Sequence, residues 1–426
     1  MTTFDAPAPR GWRLHFDRWT VVAIVACLLA AALAGGLAYR AFQEHGGVNS
    51  YALLADAYLH GRFDSPKCFD EDCARFMERI YVIFPPVPAL VATPLVALFG
   101  PDAKGFLPIA AALTALTALA WWMITGRLGL ARGARFWATL AFIFGTPAIY
   151  VALRGDGVWY FAQGVALVLV SFAILAALDR RLLLAGVLIG LAFLSRQMAI
   201  FLMPFLFALS RPKGVSLFAL DRDAVADGLK LGLPIVVAIG AYCAYNFARF
   251  GAPFETGYAY IANFPAEDTR GFITWRILDY GLFSAKYLVF NLAHMFLQGF
   301  HMEFSGKYMT EVVRMDPMGS SILAASPFVL FAFFARPSAR LFVGLAVIAL
   351  VLGITLFYHS NGYSQQNVQR YALDWLPVLY VLLLPAFAAD ADASGDRLKM
   401  FKLLVTYAIG LNAVAFGVVA ITKGAV

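Results

Sequence analysis

The stretch "GGVNSYALLADAYLHGRFD", residues 46–64, sets Asn49, Asp56 and His60 just beyond an apolar run. On a helix turning about 100° per residue these three fall within about 40° of one another, and Tyr51, Leu54 and Tyr58 take the opposite side. A carboxylate so placed can take a proton from a hydroxyl, an imidazole can share it, and an amide can orient either. The plainer reading is that Asn49 caps the helix and Asp56 is solvated. Glu44, Asp64, Asp70, Glu71, Asp72, Glu78 and Arg79 gather nearby in the sequence, so the segment is rich in acids with one notable arginine.

Further polar groups interrupt the apolar runs. "LRGDGVWY" (153–160) supplies Asp156 and Trp159, "LSRQ" (194–197) supplies Arg196, and "NVQRYALDWLP" (367–377) supplies Arg370 and Asp374. Ionisable groups in or beside a span are functional candidates by default. Arginine suits a phosphate because its fork donates two hydrogen bonds at once. The alternative is structural: Arg196 snorkels to headgroups, and Asp374 pairs with Arg370 four residues before it.

The elements that must carry these residues are membrane helices. The chain is 61% hydrophobic and 14% charged, with a mean hydropathy of +0.74, which excludes an ordinary soluble domain. Apolar runs near twenty residues recur, as a ~30 Å hydrocarbon core requires. Strand-length alternation is missing, which argues for helices over a β-barrel. The net charge of +7 lies in short clusters between runs. That is the positive-inside pattern rather than a nucleic-acid surface.

Of thirteen apolar runs, two read poorly as spans. Residues 84–99 contain four prolines, and residues 281–300 carry Lys286, Asn291 and His294, so both are expected to lie along the interface. Eleven spans remain: 19–39, 105–125, 136–153, 158–178, 182–195, 198–210, 229–248, 322–335, 341–358, 372–389 and 401–422. Charge and parity then agree. The N-terminus and residues 126–135, 179–181, 211–230, 335–340 and 396–402 fall on the cytoplasmic side of a bacterial-type inner membrane. Residues 40–104, 154–157, Arg196, 250–320 and 359–370 fall on the periplasmic, outer side. The expectation is one multi-pass, all-α membrane domain over residues 1–426. Its first run is retained as an anchor, and its two long outer loops (40–104 and 250–320) carry interfacial helices and function. If the first loop faces an oxidising compartment, Cys68 and Cys73 in "SPKCFDEDCARF" can form a local disulfide; a metal site there lacks further ligands.

The order of these features resembles the GT-C class of integral-membrane glycosyltransferases, which includes protein O-mannosyltransferases and lipid A aminoarabinose transferases. The resemblance runs through "YALLADAYLHGRF", "ERIYVIFPPVPAL", "LFGPDAKGFLPIAAALTALTAL", "FIFGTPAIYVALRGDGVWY", "LLLAGVLIGLAFLSRQMAIFLMPFLF" and "YNFARFGAPFETGY". It implies a polyprenyl-phosphate-sugar donor held in an outer-face cavity, a carboxylate base, an acceptor hydroxyl on a glycolipid, polysaccharide or protein, and inversion at the sugar carbon. Arg79, Tyr81, Arg196 and Arg370 are the expected donor and phosphate contacts. Asn49, His60, Asp156, Trp159 and Asp374 are expected to line the cavity, and a divalent cation has a place in such chemistry. One departure stands out. The family carries an acidic pair about four residues before the helix tyrosine, where this chain reads "GGVN". Asp56 and then Glu44 are the candidate bases, and neither falls on the motif position. A non-catalytic polyprenyl-lipid-binding relative and a lipid flippase or transporter are the competing classes. A transporter would place its polar groups at mid-membrane on broken helices.

Overall fold

The computed structural model describes residues 45–69, 73–212, 215, 221–261, 272–315, 319–360, 370–388, 392 and 394–423. Helix dominates, as it must where an apolar chain satisfies its own backbone. After α1 (Ser50–Leu59) comes a hairpin of β1 (Cys73–Phe76) and β2 (Arg79–Val82), then α2 (Val87–Phe99). The bundle follows: α3 (Phe106–Arg127), α4 (Arg132–Phe144), α5 (Pro147–Leu153), α6 (Val158–Leu178), α7 (Leu182–Phe193), α8 (Met203–Ser210) and α9 (Arg222–Phe250). Shorter pieces α10 (Phe272–Tyr280) and α11 (Leu288–Leu292) and a hairpin of β3 (Met302–Ser305) with β4 (Glu311–Met315) come next. They lead to α12 (Ile322–Ala325), α13 (Ala339–Leu356), α14 (Leu376–Leu383) and α15 (Asp396–Lys423).

Among the described residues, α3, α6, α9, α13 and α15 are long and apolar enough to cross a membrane. A sixth crossing is available if α4 and α5 count as one broken span, bent by 54° where Pro147 opens α5. The runs at 182–195, 198–210 and 372–389 become shorter apolar helices, and the run at 19–39 lies outside the described residues. The two runs set aside do not form long helices. In the first, α2 starts just past Pro85 and Pro86, carries Pro94 inside and ends after 13 residues. In the second, 281–300 breaks into a turn at Ala285–Tyr287, α11 and a π-turn at Ala293–Leu297.

The two ends of the bundle separate as the charge pattern requires. At one end Arg127 pairs with Asp179, Arg180 with Asp227 and Arg211 with Asp221. Arg340 donates to the carbonyls of Ala208 and Arg211, Lys402 lies over Trp137 and Arg397 over Phe334. All these segments were assigned to one side by charge. At the other end, Asn49 reaches the backbone of Asp156, Val87 N–H meets Leu194, Arg249 meets Val82 and Phe283 bridges to Tyr358. In this way the first loop, the 154–157 turn and the ends of α7, α9 and α13 come together.

The helix α6 is the axis. Of its apolar window 78% is buried, against 33% or less for the other four long helices, so side chains on several of its faces meet protein. Beside it α7 crosses α9 closely enough that a methyl group on Gly186 would sit 2.3 Å from the Leu231 carbonyl oxygen. Small residues at helix crossings let backbones approach in this way. Gly186→Ala is therefore expected to destabilise the protein by about 1–3 kcal/mol through overpacking. Gly228→Ala on α9, where nothing lies within 4 Å, should be neutral or slightly stabilising. Thermal unfolding in detergent distinguishes them, and equal midpoints would remove the close crossing.

Topology has its own test. In a background without Cys27 and Cys243, a cysteine at the exposed hairpin-tip Glu78 should react with an impermeant thiol reagent added outside intact cells. One at the exposed Arg132 should react only after lysis. The reverse pattern overturns the assigned sides.

Candidate functional site

The first helix is buried rather than laid on a surface. Tyr51, Leu53, Leu54, Ala55 and Ala57 are all enclosed, because the hairpin, α2 and α6 close over α1. The Tyr51 ring packs 5.7 Å from Phe84 and 6.0 Å from Phe161. Asn49 does cap the helix, its Oδ1 accepting from Tyr51 N–H at 2.9 Å, but its amide also donates to the Asp156 carbonyl at 2.7 Å. The helix is thereby fastened to the turn that carries Arg154. The three residues of the polar stripe meet different surroundings. Asn49 is buried, Asp56 is half-buried and accepts from Arg62 at 3.2 Å, and His60 stands in the open, its ring 3.4 Å from Asp56. Glu44 lies outside the described residues, as do Asp70, Glu71 and Asp72.

The hairpin forms a clasp over this helix. A disulfide joins Cys68 to Cys73, and β1 pairs with β2 so that Cys73 stands opposite Val82 and Ala74 opposite Tyr81. Arg249, 2% exposed at the end of α9, donates to the Val82 carbonyl at 3.0 Å and to Asn246 Oδ1 at 2.7 Å. Tyr81 is buried against Phe250 at 5.3 Å. Tyr58 donates to Tyr245 at 3.0 Å, and burial pushes its phenol well above the ordinary value. Arg79 is exposed at the start of β2, with Asp64 3.9 Å away.

The other expected residues form one buried network. Arg196 forks onto Asp374, with Nε to Oδ1 at 2.9 Å and Nη2 to Oδ2 at 2.6 Å, and Gln163 of α6 donates to the same carboxylate at 3.1 Å. Asp374 therefore takes Arg196 and not Arg370. Residues 370–374 form a 3-10 helix, on which positions four apart do not stack as they do on an α-helix. Arg370 lies instead on two aromatic faces, 5.3 Å from the Tyr160 ring centre and 4.9 Å from that of Tyr371. Arg196 shares Tyr371 at 5.1 Å, and Arg154 shares Tyr160 at 4.9 Å while donating to Tyr150 at 2.7 Å. Asp156 is buried beside Arg154, and Trp159 is half-buried between the two core clusters. The turn is pressed onto α3: a methyl group on Gly155 would lie 2.1 Å from Ala110 Cβ.

Arg196 and Arg370 thus converge on one ring, whereas Arg79 has its partner in the loop. Arg370 is 7% exposed, its Nε has no hydrogen-bond partner, and among the described residues no carboxylate pairs with it. A guanidinium held on ring faces keeps N–H donors that an anion can accept. Tyr160, Tyr371, Gln163, Arg154 and Arg249 were not singled out from the sequence. The usable signal was the 160/163 spacing on one face of α6 and the arginines inside stretches already marked for their carboxylates. Among the described residues, no three His, Cys, Asp or Glu side chains gather as a metal site.

No family model matches the chain, and no curated protein does. Solved structures give two likenesses of fold. One is the ArnT of Cupriavidus metallidurans bound to undecaprenyl phosphate, 15% identical with a TM-score of 0.45, covering 89% of this chain and 63% of that one. The other is the archaeal oligosaccharyltransferase AglB of Archaeoglobus fulgidus with an inhibitory peptide and a dolichol-phosphate, 14% identical with a TM-score of 0.44, covering 94% and 56%. The chain spans less than two thirds of the length of either.

His359, just past α13, gives the same end of the bundle a titratable group. Its ring is 7% exposed, and among the described residues neither nitrogen has a hydrogen-bond partner. Burial, then the charge of Arg276, pushes its pKa from 6.5 down to about 4. The folded state thus holds the neutral ring and the unfolded chain binds the proton first. Its contribution is complete above pH 6.5 and is lost as pH falls towards about 4. Between those values wild type should lose on the order of 1–3 kcal/mol that a His359→Phe variant retains. Parallel unfolding midpoints from pH 7 to 4 for the two proteins would contradict this.

Proposed function

We propose that this chain is a single-domain membrane glycosyltransferase that moves a sugar from a polyprenyl-phosphate donor to an acceptor hydroxyl at the outer, periplasmic face, with its N-terminus in the cytoplasm. The observation that carries the reading is Arg370, buried at the loop end of an apolar bundle on the faces of Tyr160 and Tyr371 with no carboxylate paired to it among the described residues. An amphiphile with one phosphate and a long hydrocarbon chain matches that setting. The phosphate supplies the missing anion, and the membrane supplies the lipid.

The acceptor oxygen attacks the sugar carbon from the face opposite the phosphate. The bond from that carbon to the phosphate oxygen breaks, its electron pair leaves with the lipid phosphate, and the configuration inverts. Arg370 and Arg196 stabilise the charge that develops on the leaving oxygen, with Arg196 shared between phosphate and Asp374. Arg79 and Tyr81 of the hairpin are the further donor candidates, and Asn49, His60, Asp156 and Trp159 the further cavity candidates. Asp56 takes the hydroxyl proton, with Glu44 as the second choice. For Asp56 to act, Arg62 and His60 must yield its oxygens to the acceptor.

That same pairing favours a second reading. If Asp56 serves only to hold Arg62 and His60, the chain binds polyprenyl lipid without transferring sugar.

Lipid-linked glycans compared by mass spectrometry with and without the gene identify donor and acceptor, and the purified protein then separates the two readings. Asp56→Asn should lower transfer by ~10²–10⁴-fold with donor binding intact, and Arg370→Gln should weaken donor binding by roughly 10–100-fold. Normal turnover by Asp56→Asn with a dead Glu44→Gln moves the base to Glu44. Full activity in both removes both as bases. Unchanged donor binding by Arg370→Gln would falsify the phosphate assignment.

A further inference from the structure

At the end of the bundle opposite the first loop, the arginines where α3 meets α4 are only partly answered. Arg127 forks onto Asp179, with Nε to Oδ1 at 2.6 Å and Nη2 to Oδ2 at 3.3 Å. Arg135 is built against α3. Its guanidinium lies 4.2 Å from the Trp122 ring centre and donates from Nη2 to the Trp122 carbonyl at 2.9 Å. It also covers Gly126, one turn on from Trp122, where a methyl group would come within 3.0 Å of the guanidinium carbon. This packing holds the fork in place, while Nη1 is neither enclosed nor hydrogen-bonded among the described residues. Arg132, three residues earlier on the same face of α4, is exposed. The charges of Arg132 and Arg127 both bear on Arg135, and among the described residues no carboxylate pairs with Arg132 or Arg135. The surroundings are layered. Phe136, one turn on from Arg132 and 54% exposed, sits about 6 Å farther along a helix that runs towards the 154–157 turn. A charge therefore stands directly above an open ring. The first turn is itself accessible, since a methyl group on Gly133 would meet nothing within 4 Å.

We propose that Arg132 and Arg135 hold the phosphate of an anionic phospholipid from the leaflet at this end, with its acyl chains descending past Phe136. Guanidinium forks fit phosphate oxygens, and a fork already fixed on a ring loses little freedom when it binds. Basic positions between membrane helices are natural seats for such headgroups. Two observations select this lipid over other anions. Three arginines against the single carboxylate of Asp179 leave an excess of two positive charges, which a zwitterionic headgroup, bringing its own cation, does not reduce. A soluble anion would answer the arginines but leave Phe136 open, whereas a phospholipid supplies a phosphate above and hydrocarbon below in the order the helix presents them. The site is separate from that of Arg370 and does not depend on the reading given for it.

The test measures binding of phosphatidylglycerol, phosphatidylcholine and water-soluble glycerophosphoglycerol to the purified full chain in detergent by native mass spectrometry. Each variant is first shown to unfold at the wild-type midpoint without added lipid. Arg132 is exposed, so Arg132→Gln suffices where Arg135→Gln fails to fold. Each is expected to bind phosphatidylglycerol roughly tenfold more weakly, the worth of one charge-assisted hydrogen bond. Phosphatidylcholine binding should not change. Phe136→Ala should weaken phosphatidylglycerol by roughly fivefold and leave glycerophosphoglycerol as it was. Lys399→Gln removes a cation from the same end, one paired at 3.0 Å with Asp396, and should leave phosphatidylglycerol binding unchanged. Undiminished phosphatidylglycerol binding in the folded arginine variants overturns the site. An equal loss in Lys399→Gln makes the attraction a diffuse charge effect and overturns it as well. Glycerophosphoglycerol bound as tightly as phosphatidylglycerol, with no effect of Phe136→Ala, makes this a soluble-anion site and overturns the lipid assignment.

Discussion

A guanidinium buried at the end of an apolar bundle must be given a carboxylate, a carbonyl or the face of an aromatic ring, because a bare charge there is too costly to keep. That condition arranges this end of the molecule. Arg196 is answered by Asp374, Arg249 by the Val82 carbonyl and the rings of Tyr245 and Phe250, and Arg154 by the Tyr150 hydroxyl and the Tyr160 ring; Arg370 has the rings of Tyr160 and Tyr371 and, among the described residues, no carboxylate. Each solution ties a loop to a different helix. The loops therefore have little freedom where their arginines are anchored, even though they lack regular structure.

The opposite end follows another logic. Each of its pairs keeps one partner open to solvent: Arg127 is 44% exposed against Asp179, and Arg180 is 56% exposed against Asp227. Exposed pairs of this kind contribute at most about 1 kcal/mol each and weaken with salt. Order there comes from helix packing, such as the α7–α9 crossing at Gly186. One end is held by polar contacts that cannot be exchanged, the other by shape.

Much of the helical layout was legible because hydropathy is a local property. The runs at 158–178 and 341–358 became α6 and α13 with few changes, and the segments grouped by charge meet at common ends. The hairpin over α1 was not legible. Its turn uses Met77 and Glu78 at φ 46° and 62°, without the Asn-Gly signal that announces such turns. The burial of α1 was left open, since its tyrosines suit a lipid-facing and a core-facing stripe equally well; only the partners Phe84 and Phe161 decide the matter. The pairing of Asp374 was misplaced because spacing along a chain assumes an α-helix, and residues 370–374 are wound more tightly. Arg196 and Gln163 find that carboxylate across 178 and 211 residues, a distance no local pattern spans.

That sequence distance has a consequence for how the molecule is made. At a synthesis rate of about 5–20 residues per second, Arg196 leaves the ribosome roughly ten to forty seconds before Asp374 exists. Throughout that interval the α7 segment has no acidic mate, so its guanidinium must wait at the headgroup layer, held out by its long side chain. The network is thus completed late in biogenesis, because Arg196 and Gln163 have no shared carboxylate until Asp374 is made.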